Sequence, residues 1–200
     1  MKKLALLLFG LAILASAQIL TTAEPLGKGK RTAFVSSAAL QVKDYTTLTS
    51  SNAQFIYGLH DRLDMYVGGG LTTAVGRVQK YAFLGANMGL WKNEKWFSVS
   101  TYHVFLIPVD RHSEACGLLW LPSIVVSKNL VVKKFKLTPY SGYLLTLPLG
   151  HTDGKRFTPP SPTHNLAAGV MIPRGQWSFF AEYCFGKTQE IPAFGIAYTF

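Results

Sequence analysis

The chain has 200 residues, of which 48% are hydrophobic and only 15% charged, with 20 Lys and Arg against 10 Asp and Glu. A mean hydropathy of +0.20 with so few charges excludes a disordered polyelectrolyte, and two cysteines are too few to build a disulfide-framed mini-domain. The net charge of +10 alone does not make a nucleic-acid binder, because proteins of that class are rich in charge.

The N-terminus reads as an export signal. Lys2 and Lys3 precede an apolar run from Leu4 to Leu14, and Ala15-Ser16-Ala17 then places cleavage before Gln18. The run is too short for a membrane-spanning helix, and no later stretch is long and apolar enough to be one. The expected organisation is a signal peptide over 1–17, a periplasmic N-terminal segment over 18–30 and a single β-domain over 31–200.

From residue 31 onward the pattern is strand-like, rich in Gly, Thr, Ser, Tyr and Phe and poor in helix formers. Ten segments follow in order: 31–43, 53–60, 63–73, 80–91, 96–107, 115–127, 134–147, 163–173, 176–186 and 191–200. Their connections alternate in length. His60-Asp61-Arg62, Lys92 to Lys95 and Arg174-Gly175 are tight turns, with a somewhat longer one from Lys128 to Lys133. The connections 44–52, 74–79, 108–114, 148–162 and 187–190 are mostly longer. Short turns on the side of both termini and longer loops opposite are the layout of an even-stranded outer-membrane barrel.

The side-chain alternation agrees. Leu63, Met65, Val67 and Leu71 alternate with Asp64, Tyr66, Gly68, Gly70 and Thr72. Trp177, Phe179, Ala181, Tyr183 and Phe185 alternate with Gln176, Ser178, Phe180, Glu182 and Cys184. Large apolar residues on one face and small or polar ones on the other suit lipid outside and a packed polar lumen inside. The expected fold is all-β: a closed antiparallel up-and-down transmembrane barrel of ten strands, with eight as the fallback. Pro122 and Pro139 interrupt their segments, and local bulges are expected at both. Gly68-Gly69-Gly70 lies within a strand without the helix or Lys of a phosphate loop, so it is read as relief of crowding or a bend.

The last eight residues, Ala193 to Phe200, place Phe194, Ile196, Tyr198 and the terminal Phe200 on one face. They resemble the C-terminal signature of Gram-negative outer-membrane β-barrels. Tyr57-Gly58-Leu59-His60-Asp61-Arg62-Leu63-Asp64-Met65-Tyr66 likewise resembles a hairpin of porin-like barrels. The resemblance implies an outer-membrane location and recognition of the terminal strand by the barrel-assembly machinery, with periplasmic chaperones during biogenesis. Outer-membrane lipid and lipopolysaccharide are its implied surroundings. No cofactor or metal and no nucleic-acid partner is expected, and the oligomeric state is left open.

Ten strands leave a narrow interior, with Asp64, Tyr66, Asn87, Tyr102, Lys136, Tyr140 and Glu182 expected to line it and charges of both signs pairing there. The expected role is structural, surface-contact or narrow-pore. Two other readings stand beside it. Asp110, His112 and Ser113, with Glu114, form a candidate hydrolytic cluster on an outer loop, in which Asp orients a His general base. The Asp-x-His pair resembles that of the omptin proteases, although their partner Asp-x-Asp pair has no counterpart here. His151, Asp153 and His164 could converge with His112 on a metal ion, although they lack metal-ligand spacing. The second alternative, a soluble lipocalin-like carrier, would require the apolar faces to point inward. Cys116 and Cys184 are expected as two buried thiols.

On this topology most of the basic excess falls at the turn side, on Lys28, Lys30, Arg31, Arg62, Lys92, Lys95, Lys128, Lys133, Lys134, Lys136 and Arg174. A collar facing anionic phospholipid headgroups is the expectation.

Overall fold

A computed structural model describes residues 22–40, 48–74, 77–93, 95–109, 118–149, 162–186 and 189–200. The signal peptide expected over 1–17 lies outside the described residues.

Alternating side chains and β-branched or aromatic residues drive the described residues into eleven strands. These are β1 (Arg31–Leu40), β2 (Leu48–His60), β3 (Leu63–Ala74), β4 (Arg77–Lys92), β5 (Ser98–Pro108), β6 (Leu119–Ser127), β7 (Leu130–Val132), β8 (Phe135–Pro148), β9 (Thr163–Arg174), β10 (Trp177–Gly186) and β11 (Gln189–Thr199). Every neighbouring pair is antiparallel, and β1 pairs with β11 while β6 pairs with β8. Ten strands therefore close on themselves, and β7 is a short addition paired with β8 alone. Closure leaves no unpaired edge among the ten, the condition for placing backbone amides in hydrocarbon. Arg31 and Phe200 seal the seam, each amide N donating to the other's carbonyl at 3.3 and 3.0 Å.

The two faces differ in chemistry. Val35, Val67, Leu71, Leu84, Ile107, Ile124, Leu166, Phe179 and Phe194 are exposed on the outer face. Inside are Thr32, Ser36, Asn52, Gln54, Thr72, Gln79, Asn87, Ser100, Ser123 and Asn165, all buried. This is the inverse of a soluble carrier barrel, which keeps its polar face to water. The chain is built as a membrane-spanning β-barrel. Within the lumen an apolar cluster adds Val104, Leu106, Leu121, Leu144 and Ile191, each at most 2% exposed.

The structure departs from the expected elements at several places. The six-residue connection 128–133 is not a plain turn: β7 extends the hairpin past the end of β6, and Lys133 adopts a left-handed φ of 57° to reverse the chain. β2 begins at Leu48 rather than 53, because Ser50 and Asn52 face inward and small polar residues suit that lumen. Ala74 and Arg77 leave only two residues between β3 and β4, as Gly186 and Gln189 do between β10 and β11. The loop end is therefore not uniformly long. At Pro122 the β6–β8 ladder skips from Trp120↔Leu147 to Ser123↔Leu144. Pro139 pairs in unbroken register with Val170, and its carbonyl accepts from the Lys128 amide at 3.1 Å. Register shifts fall instead at Gly58/His60 and Gly89/Trp91, on glycine-containing ends of β2 and β4.

Candidate functional site

The lumen is built from inward positions of all ten barrel strands. Asp64, Tyr66, Asn87, Tyr102, Tyr140 and Glu182 are all buried there. Lys136 is not among them. It has the inward parity of Tyr140 and Thr138, but β6 ends at Ser127 opposite Tyr140, so Lys136 sits in the protruding β7–β8 hairpin and is exposed. Among the described residues no Lys or Arg side chain is buried, whereas Asp64 and Glu182 are. Among the described residues the buried carboxyl groups of the lumen have no buried cation beside them, and they are held by neutral donors.

Those donors are specific. The Tyr140 hydroxyl donates to Glu182 Oε2 at 3.0 Å, while Glu182 Oε1 has no hydrogen-bond partner among the described residues. Asp64 faces Asn87 across the β3–β4 ladder. Further toward the loop end, Ser50 bonds the Tyr81 hydroxyl at 3.0 Å and accepts from Thr72 at 3.3 Å.

The mouth at the turn end is filled by residues 22–27, expected as a periplasmic segment outside the barrel. Gly27 and Gly29 have φ of +92° and +79°, a region open to glycine at no steric cost, and the chain ahead of β1 folds back into the lumen there. Thr22 and Ala23 end up buried. Tyr102 donates to the Thr22 carbonyl at 2.5 Å, and the Ala23 amide donates to Ser127 Oγ at 3.1 Å. The Leu26 amide donates to both Asp64 carboxylate oxygens, at 2.9 and 3.1 Å. Glu24 accepts from Ser98 and Asn129, both at 3.0 Å, and pairs with Lys92 at 3.3 Å. A cavity of about 70 Å³ remains beneath this segment, lined by Thr22, Gln54, Asp64, Tyr66, Asn87 and Tyr102 among others.

This stopper escaped the sequence reading. It is too short to show a period, although the Gly27-Lys28-Gly29 turn and the isolated Glu24-Pro25 ahead of β1 were visible signals.

Around the mouth every described cation named for the collar is exposed. Trp91, Trp96, Phe97, Phe135, Trp177 and Phe200 stand beside them, also exposed, and Arg174 lies 4.7 Å from the centre of the Phe135 ring. Of the assembly-signature residues, Phe194, Ile196 and Phe200 are exposed and Tyr198 is half-buried against Trp177, with ring centroids 4.8 Å apart.

Asp110, His112 and Ser113, with Glu114, Cys116, His151 and Asp153, lie outside the described residues. His164 is exposed on β9 and its Nδ1 is hydrogen-bonded to the Tyr143 hydroxyl. Cys184 is a buried free thiol. Among the described residues no three His, Cys, Asp or Glu side chains group to hold a metal ion.

The sequence matches no family model and no curated protein. Solved barrels resemble the structure. An outer-membrane channel of Pseudomonas putida shares 10% identity over 89% of this chain and 98% of its own, with a TM-score of 0.48. The β domain of the Bordetella autotransporter BrkA shares 12% identity over 86% and 98%, at 0.48. The KdgM porin shares 10% identity over 85% and 99%, at 0.43. The barrel assignment itself rests on the closed ladder from β1 to β11 and its inverted polarity.

Proposed function

We propose that the protein resides in the bacterial outer membrane as a small porin-like barrel, stoppered in the state described. It acts there through its wall and rims, with a narrow path rather than an open diffusion pore. One observation carries this reading: an apolar outer band on a closed ladder surrounds a lumen lined by buried side chains, with residues 22–27 seated in its turn-end mouth over a cavity of about 70 Å³. The turn end faces the periplasm, where its cations meet anionic phospholipid headgroups and its aromatic residues sit at the interface. The loop end faces lipopolysaccharide, and the β11 face of Phe194, Ile196, Tyr198 and Phe200 is presented to the assembly machinery during biogenesis. No cofactor enters this reading.

Reconstitution into planar bilayers tests it. The intact mature protein is expected to give no large conductance steps. Steady, large steps from the intact protein would contradict a stoppered lumen.

A further inference from the structure

Residues 22–27 touch the barrel as a ligand touches a receptor. Their hydrogen bonds run almost entirely to side chains that belong to the wall: Tyr102, Ser127, Asp64, Ser98 and Asn129. The segment adds no strand to the sheet, whose ladder closes without it. The wall also has seats for it. A Cβ at Gly58 would stand 2.0 Å from the Gly27 carbonyl oxygen, and one at Gly89 would stand 3.1 Å from Pro25 Cγ. Bare backbone at both positions lets the segment lie against β2 and β4. Beside it runs a groove of about 400 Å³ lined by Glu24, Pro25, Asp61, Arg62, Trp91 and Lys92, so one flank of the segment remains open.

We infer that the turn-end mouth is a binding site for an extended peptide bearing a single acidic side chain followed by proline, occupied in cis by the chain's own residues 22–27 as a displaceable plug. The recognition code is readable from the contacts. An acidic side chain is taken by Ser98, Asn129 and Lys92. A proline follows it onto Gly89, and two positions after the acid a backbone N–H meets both oxygens of Asp64. The bonds to these two carboxylates are charge-assisted, the stronger kind, and they fix both the register and the direction of the peptide. Ala23, buried in the apolar cluster of the lumen, and the half-buried Leu26 packed against that cluster add apolar contact. A short plug that adds no strand, with one flank open, belongs to the low-stability end of a structure that is otherwise a continuous ladder. The site stands whether or not the barrel conducts once the plug is withdrawn.

The test uses a mature chain lacking residues 18–27, folded in detergent, with folding checked by heat-modifiable migration. A fluorescent peptide of residues 18–28 is expected to bind this chain saturably, and to bind the intact chain far less because the site is filled. The same peptide carrying Glu24→Ala is expected to bind about tenfold more weakly, the loss of charge-assisted bonds to one carboxylate. A folded shortened chain that takes up no peptide, or takes both peptides equally, overturns the inference. If the shortened chain does not fold, the full chain answers instead. Ser100 lies fully buried just inside the mouth. Ser100→Cys, with Cys116 and Cys184 replaced by serine, is expected to resist a water-soluble thiol reagent, and adding Gly58→Val is expected to speed labelling at least tenfold by unseating the plug. Equal labelling with and without Gly58→Val in folded protein overturns it.

Discussion

The ring of Tyr66 on β3 lies across Gly85 on β4, its partner in the ladder, so closely that a Cβ at Gly85 would stand 2.3 Å from Tyr66 Cε2. Phe83 covers Gly68, Tyr81 covers Gly70 and Tyr140 covers Gly169 in the same way, each across a directly paired position. A narrow barrel has room for large rings only where the neighbouring strand has no side chain, and the rings in turn shield the bare backbone. Gly68 and Gly70 of β3 and Gly85 of β4 are thus packing partners of aromatic rings. Gly85→Val is expected to cost about 1–3 kcal/mol by forcing Tyr66 from its place. Urea titration of barrels folded into vesicles measures it, and Tyr66→Ala in the Gly85→Val background is expected to be less damaging than the two separate losses together.

The outer face gives a depth-dependent prediction. Leu84 pairs with Val67 near the middle of β4 and β3, and both are exposed. Leu84→Arg is expected to destabilise the folded barrel by about 2–4 kcal/mol, the cost of a cation at the bilayer midplane. Val132→Lys, in the protruding hairpin, is expected to cost no more than about 1 kcal/mol. Equal costs at the two positions would argue against a lipid belt at the height of Leu84.

The buried pair of Tyr140 and Glu182 gives another. Tyr140→Phe removes the donor to Glu182 Oε2 and leaves the carboxyl without a hydrogen-bond partner among the described residues. About 1–3 kcal/mol of stability is expected to be lost. In a double-mutant cycle with Glu182→Gln, the two changes are expected to be non-additive, since they remove the same contact.

The collar is tested by lipid composition. Replacing Lys133, Lys134 and Lys136 with glutamine is expected to weaken association with vesicles containing anionic phospholipid, by about 1 kcal/mol for each lysine near the surface. Zwitterionic vesicles are expected to show no difference, and added salt to erase it. A loss of the same size on both vesicle types would place these lysines away from the headgroups.

Strand identity and facing were legible wherever large apolar and small residues alternate, as from Trp177 to Phe185 and from Phe194 to Phe200, because a period of two survives any error in boundaries. The alternation weakens from Thr49 to Asn52, where small polar residues fill both faces, and there the start of β2 was misplaced. Lys136 shows the other limit. Parity reports which face a residue occupies but not its height, and height decides between lumen and solvent once a hairpin outruns its neighbour. The lumen's acids were visible as residues, while the stopper that satisfies Asp64 depends on a contact between positions 38 apart in sequence. No local pattern encodes such a contact. The wall is written in periodicity, and the plug in a few side chains that meet only after the barrel has closed.

The central claim, a membrane-spanning barrel with its apolar face outward, is tested most directly by gel migration of the mature protein before and after heating, together with its solubility. The protein is expected to fold only when detergent or lipid is present, to run faster unheated than boiled, and to fall out of solution when detergent is withdrawn. A monomer that stays soluble and β-folded in plain buffer would contradict it.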